Sequence, residues 1–178
     1  MDNNLNMLQK NKESFLYDYS NWVNMLSTFL KKLLFVRQFF IIDGKIEVLG
    51  KRQVMLPKEV LSEVESSSTK LDYKKLKKIF MENIKDYAKK IGSGEEGMYK
   101  NMVDVFETFG LGRIEVLKSD NKKKTCVLRV HDCPILDGGN KSKILTAALS
   151  GMFSFLFSKD VNAEQLKTKK EVCEFQIK

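Results

Sequence analysis

The sequence predicts an α+β domain, and three observations carry that expectation. Some stretches repeat their apolar residues at three- and four-residue intervals, the period of an amphipathic helix. Others are short runs of apolar and β-branched residues bounded by turn signals, which is how strands read. Hydrophobic residues make up 43% of the 178 and charged ones 30%, with two prolines, so the chain can bury a core and has the size of one ordinary domain.

Residues 14–35 carry Phe15, Trp22, Leu26, Phe29, Leu30, Leu33 and Leu34 at mostly helical spacing. Next, 38–42 and 45–49 flank Asp43-Gly44, a pair that accepts the positive φ angles of a hairpin turn, so a β-hairpin is expected. An apolar piece at 53–56 ends at Pro57, which suits the first position of a helix because its missing N–H would have had no partner there. That helix is expected to reach about residue 64, and the serine-rich 66–69 reads as a loop.

Leu71, Leu76, Phe80, Ile84, Tyr87 and Ile91 mark the next helix, on which Lys74, Lys78, Lys85 and Lys89 form a stripe expected to face solvent. Beyond Gly92, Gly94 and Gly97, a further stripe through Met98, Met102, Val105, Phe106 and Phe109 stops at Gly110. Strands are expected at 113–117 and 125–130 around a turn, then a loop at 134–140, an apolar helix over 144–157, and closing strands at 163–168 and 172–177. The leading helix and hairpin, residues 1–51, are expected to pack as an arm on a main domain of 52–178.

The formal charge of +8 comes chiefly from lysine, a solvated point charge suited to loose contact with anionic surfaces. With no helix-turn-helix, zinc-finger or interleaved aromatic-basic motif, nucleic acid is not an expected partner; an anionic membrane surface is the charge-based alternative. Three cysteines, an odd number, behind a polar start without a signal-peptide pattern point to reduced thiols and a cytoplasmic location. The longest uncharged apolar run, 144–158, falls short of the roughly 20 residues a helix needs to cross a bilayer.

Cys126, His131, Cys133 and Cys173 offer four zinc ligands of the sulfur and imidazole types that zinc favours. His131 and Cys133, two apart, would project from one side of a strand, with Cys126 on the opposite face. Zinc is therefore a candidate cofactor, without the Cys-x-x-Cys spacing that would secure it. The competing and simpler reading packs the thiols as small hydrophobes and lets His131 end a strand.

Catalysis by Cys133 with His131 is not expected, because neighbours on one strand face rarely also meet oxyanion donors in a cleft. Phosphate cradles are absent too: Gly92-Ser93-Gly94 lacks a following lysine, and Gly110-Leu111-Gly112 leads into a strand. An apolar pocket is the remaining candidate. Phe106, Phe109, Leu149, Met152, Phe153, Phe155, Leu156 and Phe157 gather around the small Ala147, Ala148 and Gly151, leaving room for an apolar small molecule or else filling one another's gaps.

From Arg52 onward several landmarks follow in order. They are Arg52-Gln53-Val54-Met55-Leu56-Pro57, then Phe109-Gly110-Leu111-Gly112-Arg113-Ile114-Glu115-Val116, then the strand end at 130–134. Leu149-Ser150-Gly151-Met152-Phe153-Ser154-Phe155-Leu156-Phe157 and Cys173-Glu174-Phe175 close the set. Together they resemble the 4-vinyl-reductase (hydrocarbon-binding) domain family, related in fold to transport-particle (TRAPP) subunits.

The resemblance implies a central antiparallel sheet packed against helices, a pocket for a hydrocarbon or acyl-type ligand, a homodimer, and a sensory or accessory role without catalysis. Vesicle-tethering relatives make a structural role at a basic surface the alternative. The family usually carries a further cysteine and a glycine shortly before the last cysteine; neither stands between Lys159 and Val172, so no function resting on a cysteine pair is expected.

Overall fold

A computed structural model describes residues 39–42, 44–67, 72–92, 95–133, 141–169 and 172–178, and the chain divides into two compact units, Met1–Gln53 and Val54–Lys178. The helix expected at 14–35 and the loop expected at 134–140 lie outside the described residues.

The first unit contains β1 (Phe39–Ile42), β2 (Lys45–Val48) and β3 (Lys51–Gln53), antiparallel in that order. Ile42 pairs with Lys45, so two residues close the hairpin, and Gly44 takes the φ of 72° that so tight a turn requires.

The second unit sets helices against a four-stranded antiparallel sheet, the α+β arrangement expected from the sequence. Its helices are α1 (Lys58–Ser67), α2 (Tyr73–Ile91), α3 (Glu95–Thr108) and α4 (Lys143–Phe157). The strands β4 (Arg113–Asp120), β5 (Thr125–His131), β6 (Ala163–Lys169) and β7 (Val172–Ile177) lie in the order β4-β5-β7-β6. No described helix is long and apolar enough to cross a membrane.

Local chemistry explains where the helices begin and end. α1 outruns its expected end to include Ser66 and Ser67, whose hydroxyls bond back to the Glu63 carbonyl, a contact that a helical backbone permits. Asp72 caps α2 by accepting the N–H groups of Lys74 and Lys75, and Gly92 ends it in the left-handed conformation. Ser142 caps α4, and Glu65 of α1 accepts hydrogen bonds from Ser142 Oγ and from Ile144 N at 2.8 Å. A carboxylate at a helix N-terminus is favourable, so this contact also ties α1 to α4. On α2, the side chains of Lys74, Lys78, Lys85 and Lys89 are all exposed, whereas Lys77 is buried and donates to Asp160 and Asn162.

α4 is buried on nearly every side, with α2 as its most extensive neighbour and β6 beside it. A Cβ added to Gly151 would stand 2.7 Å from the Lys77 carbonyl oxygen and 2.8 Å from Met81 N, so the absent side chain lets α4 touch the backbone of α2. Two serines one helical turn apart then fasten α4 to the chain entering β6: Ser150 Oγ accepts from Ala163 N at 2.7 Å, and Ser154 Oγ accepts from Val161 N at 3.1 Å.

β5 alternates: Cys126, Leu128 and Val130 are buried on the inner face, while Val127, Arg129 and His131 are half-buried on the outer one. Register carries the inner face to Ile114 on β4 and to Cys173, Phe175 and Ile177 on β7. Across the outer face Glu115, Arg129, Glu174 and Lys167 stand opposite one another on successive strands, a row of alternating charge.

Candidate functional site

The edge strand β4 shapes the site. It pairs with β5 in regular register as far as Val116 with Leu128, after which Leu117 is extruded as a bulge and pairing resumes at Lys118 with Val127. Without the extra residue Lys118 would follow Val116 onto the inner face. The bulge gives that place to Ser119, opposite Cys126, and sends Lys118 to the outer face.

Val116 belongs to the inner face by register yet is 37% exposed, so the helices leave this end of the sheet uncovered. There a pocket of about 490 Å³ opens to solvent. Its walls are Tyr99 of α3, Val116, Ser119, Asn121, Lys124 and Cys126 of the β4–β5 hairpin, and Phe153, Leu156 and Phe157 at the end of α4. The volume lies within the roughly 300–1,000 Å³ typical of small-molecule sites.

Apolar side chains line most of the pocket and the polar ones come from the hairpin turn and Tyr99. The rings of Phe153 and Phe157 meet at 5.5 Å, and Lys124 Nζ lies 5.8 Å from the centre of the Phe157 ring. Burial pushes the Tyr99 hydroxyl above its ordinary pKa and the Cys126 thiol up to about 12, so both are protonated near neutral pH.

Of the pocket residues expected from sequence, Phe153 and Leu156 line this cavity, as does Phe157. Phe106, Ala148, Leu149 and Met152 are buried in the packed core, Phe109 stacks on Tyr87 with ring centres 5.7 Å apart, and Gly151 abuts α2. The hairpin half of the lining and Tyr99 escaped the sequence reading. Which face Val116 and Cys126 take depends on the strand register, and the bulge that adds Ser119 left no sequence signal.

The zinc expectation is corrected. Among the described residues no three His, Cys, Asp or Glu side chains converge to hold a metal ion. The sheet separates the set: Cys126 and Cys173 lie on its inner face and His131 on its outer one, and Asp132, with a left-handed φ of 55°, ends the alternation of β5 and turns Cys133 into the interior as well. All three thiols are therefore buried, with Cys173 hydrogen-bonded to Thr168 and Gln165, while His131 stands on the outer face with its Nε2 2.8 Å from Glu115 Oε2. Burial, reinforced by Cys173 and Asp132, pushes the Cys133 thiol up to about 12, far from the thiolate that a metal or an electrophile needs.

The outer-face pair gives a pH prediction. Hydrogen bonding to His131 and the nearby charge of Arg129 hold the Glu115 carboxyl below its ordinary range, and Lys178 does the same for Glu164. A carboxyl lowered on folding contributes stability that is full above its unfolded pKa, about 4.3, and lost as pH falls through the folded value. Thermal melts between pH 7 and pH 3 should fall on the acid side, and Glu115→Gln should flatten part of that fall. The effect is small because both carboxyls are exposed; an unchanged acid slope in the variant would contradict the assignment.

No family model matches the chain, and no curated protein does. Membership of the 4-vinyl-reductase family is thus not what the comparisons support; they support a likeness of fold. The fold is similar to the crystal structure of the phenol-responsive sensory domain of the transcription activator PoxR with phenol, with a TM-score of 0.62 and 14% identity, over 86% of this chain and 90% of that one. A trafficking protein particle complex subunit 3 from Naegleria fowleri, covalently bound to palmitic acid, aligns at a TM-score of 0.47 and 15% identity, over 68% of this chain and 93% of that one.

Proposed function

We propose that this chain is a non-catalytic domain that binds a small apolar molecule in the pocket between the β4–β5 hairpin and the end of α4, and that it serves a sensory role. The observation that carries the reading is the pocket: an apolar floor on the inner face of the sheet, left open where the bulge and the last turn of α4 meet. Likeness of fold to a phenol-responsive sensory domain over most of the chain supports the sensory role. Binding is what the lining can do, since its thiol is held protonated and among the described residues no carboxylate lines the pocket to act as a base. In this reading Phe153, Leu156 and Phe157 touch the ligand, and Ala148, Leu149, Gly151 and Met152 form the packed layer that positions them.

Native mass spectrometry of gently purified protein, followed by addition of phenol or octanoate, tests the proposal and reports in the same spectrum whether the chain is the homodimer that the sequence resemblance implies. The expected result is a stoichiometric small-molecule adduct that Leu156→Trp, which fills the pocket, abolishes. A chain that takes up none of these molecules, or an adduct retained in full by Leu156→Trp, would overturn it.

A further inference from the structure

The pocket is apolar within and basic at one lip, and that asymmetry narrows its ligand. The lip is the β4–β5 turn, whose sequence runs Ser119-Asp120-Asn121-Lys122-Lys123-Lys124. Its one acid, Asp120, is committed to the turn: the carboxylate accepts the backbone N–H groups of Lys122 and Lys123, each at 3.0 Å. Three consecutive lysines follow it, and among the described residues no acid lines the pocket.

Lys124 is the one that belongs to the pocket wall. Its backbone is left-handed, with φ of 56°, and its ammonium reaches the Phe157 ring. A ring face is a weak, exchangeable partner for a cation compared with an anion. On the same side the Ser119 hydroxyl donates to Asn121 Oδ1 at 3.4 Å, which leaves the Asn121 amide N–H groups as neutral donors. The opposite wall, Phe153, Leu156 and Phe157, offers only hydrocarbon.

Resting on the reading of this cavity as a small-molecule site, we propose that its ligand is an apolar carboxylate: a hydrocarbon body held against the end of α4 and an anionic head at the Lys124 lip. Charge complementarity favours this occupant over a neutral hydrocarbon or alcohol, which would bury its body equally well and leave the ammonium on the ring.

Isothermal titration of the full chain with octanoate and with 1-octanol, equal in chain length and different in head charge, tests it. Octanoate should bind at least about tenfold more tightly at low salt, the worth of one charge-assisted contact. The gap should shrink at high salt and nearly close in Lys124→Gln, while Lys118→Gln, the same charge change on the outer face of the sheet, leaves it intact. Equal binding of the two probes, or a preference for octanoate that survives Lys124→Gln, would overturn the inference and leave the pocket reading standing. Binding of neither probe would overturn the inference, and the pocket reading with it if phenol is not taken up either.

Discussion

Gly151→Leu should destabilise the protein by at least about 3 kcal/mol in chemical denaturation, with overpacking as the cause. The expected sign is not obvious from sequence, because replacing a mid-helix glycine usually helps a helix by up to about 1 kcal/mol. Geometry decides the matter. The first atom of any side chain would meet the Lys77 carbonyl oxygen at 2.7 Å, Met81 N at 2.8 Å and Phe80 Cβ at 2.9 Å, and two of these three are backbone atoms that move only with α2 as a whole. The helices would have to part along the most extensive helix contact in the unit. Gly151→Ala needs less displacement and should cost about 1–2 kcal/mol net of its helix gain. A variant as stable as the parent would show that α2 and α4 pack less closely than described.

Ser150→Ala should cost about 2–3 kcal/mol, roughly 5–10 °C in Tm for a unit of this size. The residue is fully buried, and its hydroxyl donates to the Thr146 carbonyl at 2.7 Å while accepting from Ala163 N at 2.7 Å. The Tyr73 hydroxyl lies 2.6 Å away and, with the serine proton already engaged, donates to it. Alanine leaves the Ala163 N–H without its partner in the interior, and an unmet buried donor costs more than a made bond contributes. Tyr73→Phe removes only the outermost link and should cost about 1 kcal/mol. Equal losses in the two variants would mean that the buried N–H finds another partner.

These two neighbours show how much of the fold the sequence discloses. The apolar run over 144–157 reads as a buried helix, and Lys143–Phe157 is one. Period alone cannot reveal that Gly151 marks a backbone contact with α2, or that Ser150 and Ser154 sit in an apolar helix to anchor the strand that follows. The closing strands were legible because turn signals bound them, and the first hairpin because Asp43-Gly44 admits few other conformations. β4 runs beyond its expected end at 117 because the bulge at Leu117 breaks the alternation that defines a strand in sequence.

The same local irregularity governed what could be read of the site. The zinc set failed because Cys126 and Cys173 face inward, and Asp132, one residue with positive φ, sends Cys133 the same way and leaves His131 outside. The cavity, in turn, depends on the bulge that exchanges Lys118 for Ser119 on the inner face. Sequence reasoning found the α4 wall, where apolar residues cluster along the chain. It missed the hairpin wall, where the residues meet only through strand pairing, and Tyr99, which arrives from a third element.

The most direct test of the central claim is a two-dimensional amide NMR titration of the isotope-labelled chain with octanoate and, separately, phenol. Shifts concentrated on residues 116–126 and 153–157, saturating with one ligand per chain, are the predicted result. Absence of any shift with both probes, or shifts centred on the polar cleft formed by Tyr73, Lys77 and Asp160 while the hairpin stays silent, would contradict it.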